Sequence, residues 1–73
     1  MKNNIEKYLI IAKIKGQTTT EIILISGIGR TSFYEIMSGK QVPKLDTALS
    51  IARALQASLE DIFPQLKEVS KID

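Results

Sequence analysis

The amino-acid sequence predicts a small all-α domain built from five short helices. Glycine and proline divide the chain into short blocks, a pattern typical of helices joined by tight turns. Two blocks begin with a helix-capping pattern, Thr18-x-x-Glu21 and Ser58-x-x-Asp61. A third block, residues 45–55, carries a wide apolar stripe at helical spacing. These three observations favour helices throughout.

The first helix is predicted over residues 4–15, where Tyr8, Ile11 and Ala12 share one face and Gly16 follows the end. Glycine is common just after a helix because it accepts the left-handed conformation there. No apolar stretch is long enough for the core of a secretory signal or for a membrane span. We therefore expect a soluble, cytoplasmic protein without a membrane partner.

The second block allows two interpretations. Residues 22–25 form a continuous apolar run, mostly β-branched, which suits a buried strand. The capping pattern of Thr18 and Glu21 favours a helix instead, because each side chain can accept a hydrogen bond from the backbone amide of the other residue. A glycine-containing break at 27–29 then leads into a third helix over 30–38. Two short helices joined in this way form a helix-turn-helix arrangement.

The remaining helices are predicted over residues 45–55 and 59–63. The apolar stripe of the fourth helix is about as wide as the central helix of a small bundle needs. Pro64 ends the fifth helix. Residues 1–64 are thus expected to form the folded domain. Residues 65–73 are expected to form a C-terminal tail. Continuation of this tail as a frayed helix is an alternative that the sequence leaves open.

The composition argues against an enzyme. The sequence contains no cysteine and no histidine, so it lacks thiolate metal ligands, disulfides and the commonest general base. It also shows no nucleophile–base constellation and no phosphate-binding loop. We expect no catalytic residues, no cofactor and no metal.

The charge distribution suits a polyanionic partner. Residues 1–44 carry seven basic and three acidic side chains, whereas residues 45–73 carry three basic and five acidic ones. A basic front and an acidic back suit a protein that presents one end to a polyanion. A mixed, solvated surface is the alternative interpretation of the same charges.

A series of short motifs carries a family resemblance. The motifs are Lys15-Gly16-x-Thr18, Glu21-Ile22, Gly27-Ile28-x-Arg30, Phe33, Ile36, Gly39-Lys40, Pro43, Leu45, residues 47–55 and residues 58–63. In this joint spacing, without a gap, the chain resembles the phage-repressor (Cro/CI, or XRE) helix-turn-helix family. The resemblance implies a lambda-repressor-like DNA-binding domain, a positive φ at Gly27, and a third helix that enters the major groove of DNA.

The resemblance also implies which side chains face DNA. Phe33 and Ile36 point into the core, and the exposed face of the third helix meets the bases. The base-facing candidates are Arg30, Thr31, Tyr34 and Glu35. The phosphate-facing candidates are Thr19, Ser32, Lys40 and Lys44. A solvated surface position is the alternative for Arg30, Lys40 and Lys44, and Glu35 needs a cytosine to avoid repulsion by the duplex.

Six positions depart from the family pattern, two of them as a pair, because Ala12 and Met37 stand where many members have an arginine and a glutamate that join. Thr19 stands where a glutamine is usual, which shortens that phosphate contact. Ile23 and Ser26 stand where alanine and leucine are usual, and their spacing of three on one helix lets the volumes partly compensate. Gln56 replaces a helix-ending glycine at some conformational cost.

The function that the resemblance implies is a dimeric, sequence-specific transcription regulator that binds a palindromic DNA operator, such as a small repressor of a prophage or mobile element. A restriction–modification controller is one alternative, and an antitoxin-like protein with a protein partner is another. The dimer surface is expected among apolar side chains near the C-terminus, several of which also suit the core. These are Leu59, Ile62, Phe63, Leu66 and Val69.

Overall fold

Five α-helices make up most of the chain in the computed structural model, which describes residues 2–66. They are α1 (Ile5–Ile14), α2 (Thr19–Ser26), α3 (Arg30–Ser38), α4 (Leu45–Ala54) and α5 (Leu59–Ile62). No strand occurs within residues 2–66, so the prediction of an all-α fold with five helices is confirmed. The strand interpretation of the apolar run in α2 is wrong. None of the described helices is long and apolar enough to cross a membrane.

Both predicted capping boxes are present. The amide of Glu21 donates to Thr18 Oγ1 at 3.1 Å, and the amide of Thr18 donates to Glu21 Oε1 at 2.8 Å. Ser58 and Asp61 make the same reciprocal pair at 3.2 and 3.3 Å. These bonds satisfy amides that have no partner inside the helix, and they fix where α2 and α5 begin.

The central packing element is α4, as its apolar stripe predicts. It packs against both α2 and α5, while α1 packs against α2. Its buried face combines Ile51 with the small side chains of Ala48 and Ala52, which allow neighbouring helices to approach closely. The largest fully buried side chains of the core are Phe33, Phe63, Ile5, Ile22, Ile36, Ile51 and Ile62.

This core changes the expected dimer surface. Ile62 and Phe63 are both 0% exposed, so they stabilise the monomer and offer no surface to a second copy. Their assignment to the dimer contact is corrected accordingly. Leu59 and Leu66 are partly buried against the core and keep some exposed area. Val69 lies outside the described residues.

The start of the described chain is tied to the ends of α3 and α5, which sequence reasoning missed. Asn3 Nδ2 donates to the carbonyl oxygen of Ile36 at 2.9 Å and to that of the next residue at 3.3 Å. The amide of Asn4 donates to the carbonyl oxygen of Ile62 at 2.8 Å. Because the last carbonyls of a helix lack amide partners further along that helix, such donors fix its end. Asn3 therefore holds the C-terminal end of α3 in place.

Gln56, just after α4, has a left-handed backbone conformation with φ of +56°. Its amide donates to the carbonyl oxygen of Arg53 at 3.0 Å, which closes the last turn. A side chain with a Cβ is strained in this region of φ, whereas glycine is not. The conformational cost expected at this position is therefore present.

Replacing Gln56 by glycine should stabilise the domain. Relief of the left-handed strain outweighs the greater flexibility of glycine in the unfolded chain, so Gln56→Gly should raise the free energy of unfolding by roughly 0.5–1 kcal/mol. Gln41→Gly, at an exposed position outside the left-handed region, is the matched control and should lower it. Urea unfolding measures both, and a loss of stability in Gln56→Gly similar to that of the control would contradict the strain.

Candidate nucleic-acid interface

The turn between α2 and α3 is built around Gly27, whose φ of +73° ends α2 in the left-handed region. The positive φ expected at this residue is confirmed. A Cβ added at Gly27 would meet no atom within 4 Å, so the need for glycine comes from the backbone and not from crowding. Gly29 follows as the extended N-cap of α3. The direction of α3 relative to α2 depends on these two residues.

Ser26 closes the same turn from inside. Its side chain is almost fully buried, and its hydroxyl donates to the carbonyl oxygen of Ile23 at 2.7 Å. The same hydroxyl accepts from the amide of Ile28 at 3.2 Å. Ile23 and Ser26 are both buried. The bond from the Ile28 amide was missed, although a serine hydroxyl often accepts from the amide two residues further along the chain.

The third helix has one buried face and one exposed face. Phe33 and Ile36 are 0% and 1% exposed, so the prediction that both point into the core is confirmed. The side chains of all four base-facing candidates lie on the solvent side. They are Arg30, Thr31, Tyr34 and Glu35.

Tyr34 is held at the edge of this exposed face. Its ring meets the ring of Phe33 edge to face, with centroids 6.2 Å apart and planes at 81°. It also borders a groove between α1, α2 and α3, which Thr19 and Lys13 line as well. Thr19, the first residue of α2, and Tyr34 thus line the same groove. Lys13 is an exposed cation at this groove that sequence reasoning missed.

The other phosphate-facing candidates are spread around α3. Ser32 is partly buried in the first turn of α3. Lys40 and Lys44 are exposed and flank the loop that joins α3 to α4. Cationic side chains therefore follow one end of α3, while Arg30 marks its other end.

Arg30 makes a contact across the turn. Its Nη2 donates to Thr20 Oγ1 at 3.4 Å, and both side chains are exposed. Thr20 is the second residue of α2, so the contact joins the first turns of the two helices. Sequence reasoning missed this pair because no helical or strand periodicity connects residues ten positions apart.

The exposed face of α3 and the loop after it offer hydrogen-bond donors and cations. A guanidinium, hydroxyl groups and two lysines can contact an extended, anionic surface. No group of three or more histidine, cysteine, aspartate or glutamate side chains lies together in residues 2–66, so these residues provide no metal site of that kind.

No family model matches the sequence, and neither a curated protein nor a solved structure matches it.

Gly27 provides a test of the turn. Gly27→Ala should lower the free energy of unfolding by about 1–2 kcal/mol, because alanine has to adopt the left-handed conformation. Gly27→Asn should lower it less, since asparagine tolerates that region better. Gly29→Ser is the matched control and should keep full stability, because serine is a good N-cap with an extended backbone. Equal stability of Gly27→Ala and Gly29→Ser in urea unfolding would contradict this account of the turn.

Proposed function

We propose that the protein is a sequence-specific DNA-binding transcription regulator with a lambda-repressor-like helix-turn-helix, which acts as a small dimeric repressor of prophage or mobile-element type. The observation that carries the proposal is the α2–turn–α3 arrangement. A left-handed glycine joins two short helices, and the second helix buries Phe33 and Ile36 while its polar side chains face solvent. That division leaves one face of α3 free to enter a major groove.

In this function the exposed face of α3 reads the base edges. The guanidinium of Arg30 pairs with O6 and N7 of a guanine, and the carboxylate of Glu35 accepts from N4 of a cytosine. The methyl group of Thr31 contacts a thymine methyl. Tyr34, with 39% of its side chain exposed, flanks these three at the border with α2.

The phosphates of the duplex are bound around this helix. Thr19 and Ser32, in the first turns of α2 and α3, supply hydroxyl groups. Lys40 and Lys44 supply positive charge from the loop after α3. Such contacts fix the orientation of the protein on DNA and carry no sequence information themselves.

A dimer is part of this proposal because one helix contacts too few base pairs to select a DNA site by itself. One helix reads only a few base pairs, and a twofold arrangement on a palindromic site doubles the readout. Among the described residues, Leu59 and Leu66 remain candidates for the contact between copies, because they keep some exposed surface near the C-terminal end of the domain.

An antitoxin-like regulator is the second candidate function, and one observation favours it. Four aliphatic side chains on α1 and α2 are largely exposed, namely Ile14 at 81%, Leu24 at 74%, Ile25 at 61% and Ile10 at 59%. Exposed aliphatic side chains on a small domain can mark a protein-binding surface. Purification from the source cell distinguishes the two functions, since an antitoxin retains a stoichiometric protein partner and a simple repressor does not.

The assignment of Arg30 to bases and Lys40 to phosphates predicts two different defects. Arg30→Ala should cost about 1–3 kcal/mol on the preferred duplex and relax the preference at one base pair. Lys40→Ala should weaken binding to the preferred and the scrambled duplex equally. It should also lower the salt dependence of the binding constant by about one ion per subunit. Binding isotherms on both duplexes at several salt concentrations measure these effects.

Arg53→Ala and Lys7→Ala are the matched controls, because both side chains are exposed on other helices. Each should leave the ratio between preferred and scrambled DNA unchanged. An unchanged ratio in Arg30→Ala would show that α3 does not read bases through this residue, and the antitoxin-like function would gain support.

The twofold arrangement predicts two copies on a palindromic duplex. Sedimentation should give a complex of two protein chains on the full site. In that complex the two copies of α3 should lie about 34 Å apart, which is one turn of DNA. A single half-site should bind on the order of 10-fold more weakly or worse, because the second copy adds no contacts there. One chain on the full site, with the affinity of a half-site, would contradict the dimer.

A further inference from the structure

Arg30 occupies a helix position that does not suit its charge. It is the first residue of α3, where the helix dipole favours acidic side chains over basic ones. The first turn of α3 contains no acidic residue, and its N-cap, Gly29, has no side chain to cap the helix. The helix dipole and the N-cap therefore give no reason for a basic side chain at this position. The guanidinium of Arg30 instead makes a contact with a residue of the preceding helix.

That contact is to a hydroxyl with no part in capping α2. The reciprocal cap of this helix is made by Thr18 and Glu21, which leaves Thr20 free of that role. Thr20 Oγ1 accepts from Arg30 Nη2 at 3.4 Å. Both side chains border an open groove at the turn, together with Leu24 and Ile28. The guanidinium is thus directed across the turn by a residue of the preceding helix.

We propose that Thr20 is a positioning residue, which holds the Arg30 guanidinium in the orientation that meets a guanine. This inference rests on the proposed DNA-binding function. A guanidinium has five N–H donors, so one bond from Nη2 leaves a second hydrogen on that nitrogen and the hydrogens on Nη1 for a bidentate contact. The β-branched threonine is itself restricted at χ1, which makes it a stiff support.

The benefit is a lower cost of ordering a long, exposed side chain when DNA binds. An arginine that is already oriented loses fewer rotamers in the complex. The lower ordering cost matters only on DNA sequences that offer Arg30 the O6 and N7 acceptors of a guanine. Thr20 therefore affects the preference of the protein for one DNA sequence over another. A threonine that contacted a phosphate directly would instead contribute equally on every sequence.

The test compares Thr20→Val, which keeps the shape and removes the acceptor, with Thr20→Ser, which keeps the hydroxyl. Thr47→Val, at the start of α4, is the matched control. Binding is measured on a duplex that the wild-type protein selects from a randomised pool and on its scrambled version. Thr20→Val should reduce the ratio of the two affinities about 3- to 10-fold, with binding to the scrambled duplex and the unfolding midpoint unchanged. Thr20→Ser should recover most of the ratio, and Thr47→Val should not change it.

A double variant isolates the coupling. In the background of Arg30→Ala, Thr20→Val should have no further effect on the ratio, because the side chain that it orients is gone. Equal weakening on both duplexes would assign Thr20 to a phosphate and overturn its positioning role. If Thr20→Val keeps the wild-type ratio between the selected and the scrambled duplex, the positioning role is overturned and the proposed DNA-binding function is not. Failure of the wild-type protein to prefer any duplex would overturn the proposed function as well.

Discussion

The left-handed turn at Gly27 is the constraint on which the exposed surface depends. It joins the end of α2 to the start of α3, and the buried hydroxyl of Ser26 bonds on both sides of it, to Ile23 and to Ile28. Backbone conformation and side-chain bonding therefore act together at one point. Because α3 starts immediately afterwards, any change in this turn would rotate all of its outward side chains together.

The opposite end of α3 is held by a different means. Asn3 bonds to the last turn of the helix, and Phe33 and Ile36 fix its inner face in the core. A helix of nine residues is marginal by itself, so tertiary contacts of this kind provide most of its stability. Held at both ends and along one face, α3 can present a rigid polar surface, which is what selective recognition requires.

Local patterns predicted most of the fold. The helices and both capping boxes depend on neighbouring residues, and sequence shows these directly. The positive φ of Gly27 and the burial of Phe33 were expected from the family resemblance. The bonds of Asn3 to α3 and of Thr20 to Arg30 join residues of different elements, and no periodicity within one helix reveals them. Apolar residues on a helix as short as α5 carry no clear face, so Ile62 was assigned to a surface although it lies in the core.

The bonds of the N-terminal segment also affect how the domain forms during synthesis. Asn4 precedes the first helix, yet its amide is paired with the carbonyl oxygen of Ile62, at the end of the fifth. While a ribosome makes the chain, that partner does not exist until all five helices have been translated. The earlier helices and the bonds of Asn3 to α3 can form before then, but this bond of Asn4 cannot. The bond that ties the segment before α1 to the end of α5 is therefore among the last contacts of the domain that can form.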